Sequence, residues 1–146
     1  MLQAQQGYDS PLTRVFVYGT LKPDEASYQR YCAGKVVSMC EAIASGQLFA
    51  LPMGYPAMTL GEGWVYGFLL TFADSTVLKD LDEWENYDPD RPAEENEYQR
   101  EKIEVWGSDR QLLGKAWVYR MSLEQAKHWS GVLLPEGQWS SRNCLM

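Results

Sequence analysis

Apolar residues are grouped along the chain in short strand-like runs, and one segment spaces them as a helix does. Val15-Phe16-Val17-Tyr18 is β-branched and aromatic and is stopped by Gly19, which predicts a buried strand leading into a tight turn. A short helix is expected within residues 25–32, after Pro23. Residues 43–51 and 64–72 read as two further strands, separated by Pro52-Met-Gly-Tyr-Pro56, and the stretch between them is expected to be loop. Residues 98–106 and 111–119 flank Gly107-Ser-Asp-Arg110 and predict a β-hairpin. Alternation along its first strand puts Tyr98 and Arg100 on one face, with Ile103 and Val105 on the other. A last short helix is expected over residues 122–129, followed by an irregular tail over residues 131–146. Strands that do not alternate with helices indicate the α+β class. A small mixed β-barrel of about five to seven strands with a few flanking helices would protect so many short edges.

The helical segment covers residues 74–86, with Asp74 or Ser75 as N-cap and Asn86, tolerant of left-handed geometry, at its end. At about 100° per residue, Val77, Leu78, Leu81 and Trp84 fall within one arc roughly 120° wide. Glu85 falls in the same arc, whereas Lys79, Asp82 and Glu83 point away. A carboxylate on a buried face must be paired, kept neutral or used, because removing charge from water is costly. Pro89 and Pro92 bar further helix, and the acidic residues 88–97 are expected to form an exposed loop.

Composition narrows the choice of partners. The 146 residues are 45% hydrophobic, enough for one core, so a polar tail over residues 1–13 and a single domain over residues 14–146 are expected. Net charge is −7 and the 13 Lys and Arg form no basic stripe, which argues against nucleic acid or an anionic membrane as partner. A cationic or small neutral ligand stays open. The N-terminus has neither the basic start nor the apolar core of a signal peptide, and no apolar run reaches membrane-spanning length. Cys32, Cys40 and Cys144 are odd in number and irregularly spaced, as reduced thiols of a cytoplasmic protein would be.

Two features carry candidate chemistry. The turn from Tyr18 through Gly19 and Thr20 to Leu21 either needs glycine only to turn, or presents backbone amides to an anion or developing oxyanion. Glu85 is either a structural ion pair with Arg100 or a proton-transfer group whose pKa burial raises toward neutrality. Other chemistries lack residues. His128 is the only histidine and is expected on a surface helix beside Trp129, so a His-rich metal site cannot be built. Residues 88–97 lack the alternating oxygen ligands of a calcium loop, and no phosphate-binding glycine motif occurs.

Val17-Tyr-Gly-Thr-Leu-Lys22, Gly54-Tyr-Pro-Ala57, Val65-Tyr-Gly67, Leu81-Asp-Glu-Trp-Glu85 and Tyr98-Gln-Arg100, in this order, resemble the γ-glutamylcyclotransferase-like family. The likeness spans about residues 14–120 and is greatest to the γ-glutamylamine cyclotransferase branch. It implies a small mixed barrel that converts a small-molecule γ-glutamyl substrate to 5-oxoproline and a free amine without a cofactor. It further implies that Tyr18, Gly19, Thr20 and Leu21 supply backbone contacts to the γ-glutamyl group, that Glu85 is the catalytic acid and base, and that Tyr98 helps hold the substrate. Asn86 stands where many relatives have Gly, and the loop over residues 87–97 is longer than usual, which bears on the leaving amine more than on the reaction. A non-catalytic ligand-binding barrel of the same fold is the alternative.

Overall fold

The computed structural model describes residues 12–141. Six strands run in the order β1 (Thr13–Val17), β2 (Val36–Ala50), β3 (Pro56–Phe72), β4 (Gln99–Gly107), β5 (Leu112–Arg120) and β6 (Val132–Leu134). Helices α1 (Ala26–Tyr31), α2 (Val77–Trp84) and α3 (Leu123–His128) lie between them. Strand pairing follows β3-β1-β5-β4-β2, and β2 also pairs with β3, so five strands close into a barrel. β6 adds to the end of β2, at Leu48, Phe49 and Ala50. The β1–β5 contact is parallel and the others are antiparallel, so the barrel is mixed and the class is α+β.

The apolar run of β1 is needed because both of its faces are covered. Phe16 and Tyr18 belong to a cluster with Leu48, Met58, Val65 and Val118, while Val15 and Val17 belong to a second cluster with Leu78 and Leu81 of α2. β1 lies so close to β3 that a Cβ on Gly67 would stand 2.1 Å from the Val17 carbonyl oxygen. The β4–β5 hairpin forms as its pattern indicates, Gln99 opposite Arg120 and Val105 opposite Gly114.

Three expectations are corrected. β2 and β3 are longer than predicted and the stretch before Trp64 is strand: Gly46 to Ala50 pair with Leu60 back to Pro56. Residues 37–41 are exposed, and β3 opens on Pro56 and contains Gly61 and Gly63, so neither extension carries a periodic signal. The tail is not irregular throughout, since it forms β6 and then buries Trp139 to 2% exposure beside Phe16 and Tyr18. Gly137 accepts from the Tyr66 amide at 2.8 Å, and the Lys22 ammonium donates to the Trp139 carbonyl. Trp84, expected in the buried arc, is 42% exposed; its ring lies against Tyr31 of α1, the centroids 5.1 Å apart.

The other two helices start and stop near their expected limits. Ser122 caps α3 by accepting from the Gln125 amide at 3.1 Å, and His128 is exposed beside Trp129. Cys32 is buried and Cys40 exposed, both as free thiols, while Cys144 and residues 1–11 lie outside the described residues. Among the described residues no helix is long and apolar enough to cross a membrane.

Candidate active site

α2 places Glu85 through both of its ends. Asp74 accepts from the Thr76 amide at 3.0 Å and from its hydroxyl at 2.7 Å, so the predicted capping residue acts through a turn just before the helix. Val77, Leu78 and Leu81 bury the inner face. The helix stops at Trp84, Glu85 is its C-cap, and Asn86 takes the left-handed conformation with φ 55°. There the chain turns away and leaves the Glu85 side chain lining a cavity of about 220 Å³.

Every residue expected at the site except Arg100 lines this cavity: Tyr18, Gly19, Thr20, Leu21, Glu85 and Tyr98. Gly19 is not in a left-handed conformation; it is required because a Cβ there would stand 2.7 Å from Cγ of Pro56. No described residue accepts a hydrogen bond from the amides of Gly19, Thr20 or Leu21, so three donors remain free on one wall. The two tyrosine hydroxyls are engaged. Tyr18 donates to the Tyr119 carbonyl at 2.5 Å and accepts from the Met58 amide at 3.2 Å, and Tyr98 donates to the Pro56 carbonyl at 2.6 Å. Tyr98 therefore lines the cavity and secures the start of β3 with its hydroxyl.

Arg100 does not pair with Glu85. Its Nη1 stands 3.2 Å from Oδ2 of Asp82, and its guanidinium lies over the rings of Tyr87 and Trp117 at 5.5 and 4.8 Å. The other Asp82 oxygen accepts from the Tyr119 hydroxyl at 2.7 Å. Asp82, expected to face solvent, instead ties α2 to β4 and β5 because both of its oxygens find donors there. Glu85 accepts no hydrogen bond from a described residue. Burial, then the nearby Glu97 carboxylate, push its pKa up to about 8.

Sequence reasoning passed over Tyr55, Glu97 and Tyr119, which also line the cavity. The acidic segment after α2 is folded on itself: Arg91 donates to the side chains of Asn86 and Asn96 at 3.1 and 2.9 Å, and Asn96 is 2% exposed. The Glu97 amide donates to the Asn86 carbonyl at 3.2 Å, and the Glu97 carboxylate accepts from the Tyr55 hydroxyl. Burial, then that bond, raise the Tyr55 pKa. The available signals were Tyr55 within Gly54-Tyr-Pro-Ala57 and Glu97 directly before Tyr98. Among the described residues, no cluster of three His, Cys, Asp or Glu is arranged to hold a metal ion.

The family model for gamma-glutamyl cyclotransferase, AIG2-like, matches residues 15–141. No curated protein matches the sequence. Among solved structures, an AIG2-like protein of Mus musculus is 21% identical, with 88% of each chain covered and a TM-score of 0.65. YkqA of Bacillus subtilis is 22% identical with a TM-score of 0.61; the match covers 88% of this chain but only 39% of YkqA. A protein of Arabidopsis thaliana is 22% identical with a TM-score of 0.58, over 82% of this chain and 81% of its own. What these structures share with the chain is its fold.

Proposed function

The chain belongs to the γ-glutamyl cyclotransferase, AIG2-like family, and from that premise we propose that it releases 5-oxoproline and a free amine from a γ-glutamylamine or γ-glutamyl peptide in the cytoplasm. The observation that carries this reading is that Glu85, an acid with no partner among the described residues, lines one small cavity with three amides that have no acceptor among those residues. In the reaction the substrate's α-nitrogen attacks its own γ-carbonyl carbon. The nitrogen loses a proton as the new carbon–nitrogen bond forms, and the departing nitrogen gains one as the old bond breaks. One carboxylate performs both transfers when its pKa is near the working pH, and about 8 meets that condition.

As the α-nitrogen attacks, the carbonyl oxygen becomes negative. The free amides of Gly19, Thr20 and Leu21 serve that oxyanion and the α-carboxylate of the γ-glutamyl group. Fixed donors of this kind act strongly because they need no reorganisation at the moment of reaction. The rings of Tyr98 and Tyr119 wall the cavity and hold the γ-glutamyl chain folded, which matters because attack is intramolecular. Arg100 acts at one remove, by holding Asp82 and with it the end of α2.

The test is incubation with a panel of γ-glutamyl compounds, measuring 5-oxoproline by mass spectrometry. Glu85→Gln is nearly isosteric and is expected to keep the fold and lose about a hundredfold or more of the rate. A Glu85→Gln protein that turns over normally ends the proposal. Calorimetric binding of γ-glutamyl compounds by the wild type with no product would instead identify a ligand-binding barrel.

A further inference from the structure

The turn that carries the free amides cannot be held in place by them. Among the described residues, the backbone of residues 19–21 forms one hydrogen bond, accepted by the Gly19 carbonyl from the Lys22 amide at 3.0 Å. Fixed donors assist a reaction only while they stay where they are aimed, so side chains must hold this segment. Leu21 does so from the apolar core, at 3% exposure. Lys22 and Glu25 do so in another way. They are 9% and 8% exposed, yet among the described residues neither forms an ion pair. A charge taken from water needs compensating hydrogen bonds. Both residues find them on the backbone of the tail, 117 and 116 positions along the chain: Lys22 Nζ donates to the Trp139 carbonyl, and Glu25 Oε2 accepts from the Ser141 amide at 3.2 Å.

The tail is itself seated on the barrel. Gly137 takes the left-handed conformation, φ 72°, where a Cβ would collide with the Trp64 carbonyl, and its own carbonyl accepts from the Tyr66 amide at 2.8 Å. The Trp139 ring is buried with Phe16 and Tyr18. Neither Lys22 nor Glu25 lines the cavity of Glu85; Lys22 lines a separate one of about 180 Å³, together with Gln138 of the tail. Neither is therefore placed to touch the reacting atoms.

Resting on the cyclotransferase reading, we propose that Lys22 and Glu25 are positioning residues, which by gripping the main chain of the tail hold the amides of Gly19, Thr20 and Leu21 in the geometry the oxyanion requires. The amides of Lys22 and Glu25 report whether the turn is held, because they donate to the carbonyls of Gly19 and Lys22 at 3.0 and 2.9 Å.

The experiment pairs two readouts on the full chain: kcat for 5-oxoproline release from a γ-glutamyl compound, and hydrogen exchange of the amides of residues 22 and 25 by NMR. Lys22→Met keeps an unbranched side chain and removes the ammonium. It is expected to lower kcat by about tenfold or more and to speed both exchanges by about tenfold or more, while the β4–β5 hairpin exchanges as in the wild type. Glu25→Ala should act likewise, and Glu25→Gln, which keeps an acceptor for the Ser141 amide, should restore most of the lost rate. That pair carries the test if Lys22→Met does not fold. The assignment is overturned by a folded Lys22→Met with wild-type kcat, by a loss of kcat with exchange at residues 22 and 25 unchanged, or by exchange that rises equally in the hairpin. A wild type that yields no product from any γ-glutamyl compound overturns the cyclotransferase reading, and the exchange rates then decide by themselves whether the grip holds the turn.

Discussion

Two carboxylates three residues apart, Asp82 on α2 and Glu85 at its C-cap, have opposite fates. Asp82 has a donor on each oxygen, whereas Glu85 has none among the described residues and its pKa is raised from 4.5 to about 8. In the unfolded chain Glu85 ionises near its ordinary value, so between those limits the folded state binds the extra proton. Stability therefore falls as pH rises through this window and levels off above it. Glu85→Gln cannot ionise, so its melting temperature should match the wild type below about pH 4.5 and exceed it increasingly up to about pH 8. Thermal melts across that range decide the point: a variant that melts lower at every pH would mean the carboxylate is paired and stabilising. The position of Glu85 was legible from helical spacing alone. Its lack of a partner was not, because Arg100 had two acids within reach and the geometry chose Asp82.

For the segment leaving β1, the role of glycine differs from the one a tight turn suggests. Gly19 has no positive φ to require it, and the constraint is the approach of Pro56, which the Tyr98 hydroxyl secures from the other side. Gly19→Ala must therefore move either the turn or the start of β3. The expected result is a folded protein destabilised by about 1–3 kcal/mol. If the amides act on the substrate, the 5-oxoproline rate should fall by more than that loss explains, since misplacement by about 1 Å can cost about a hundredfold. A variant with full activity and altered stability would separate Gly19 from the site. Strand β1, the β4–β5 hairpin and the three helices were readable because each carries its own periodicity or turn chemistry. The outer halves of β2 and β3 were not, because exposed residues and interrupting glycines leave no pattern and only pairing makes them strand.

Across the whole molecule, closure of the barrel brings distant segments to one cavity, and the tail after α3 adds Trp139 to the core behind it. Trp139 packs beside Phe16 and Tyr18, the latter at the cavity wall. Trp139→Ala should cost about 3–5 kcal/mol in urea unfolding, since a large ring leaves a space its neighbours only partly fill. A loss below about 1 kcal/mol would show that the tail merely lies on the barrel. The class, most of the strands, the helix that leads to Glu85 and the turn that carries the amides could be read along the chain, because these depend on spacing between near neighbours. That Tyr55 meets Glu97, that Tyr119 and Arg100 take Asp82, and that Glu85 has no hydrogen-bond partner among the described residues follow from the folded arrangement alone. Those partners lie on different strands and loops, and their meeting is fixed by which strands pair and where the barrel closes, which no local pattern encodes.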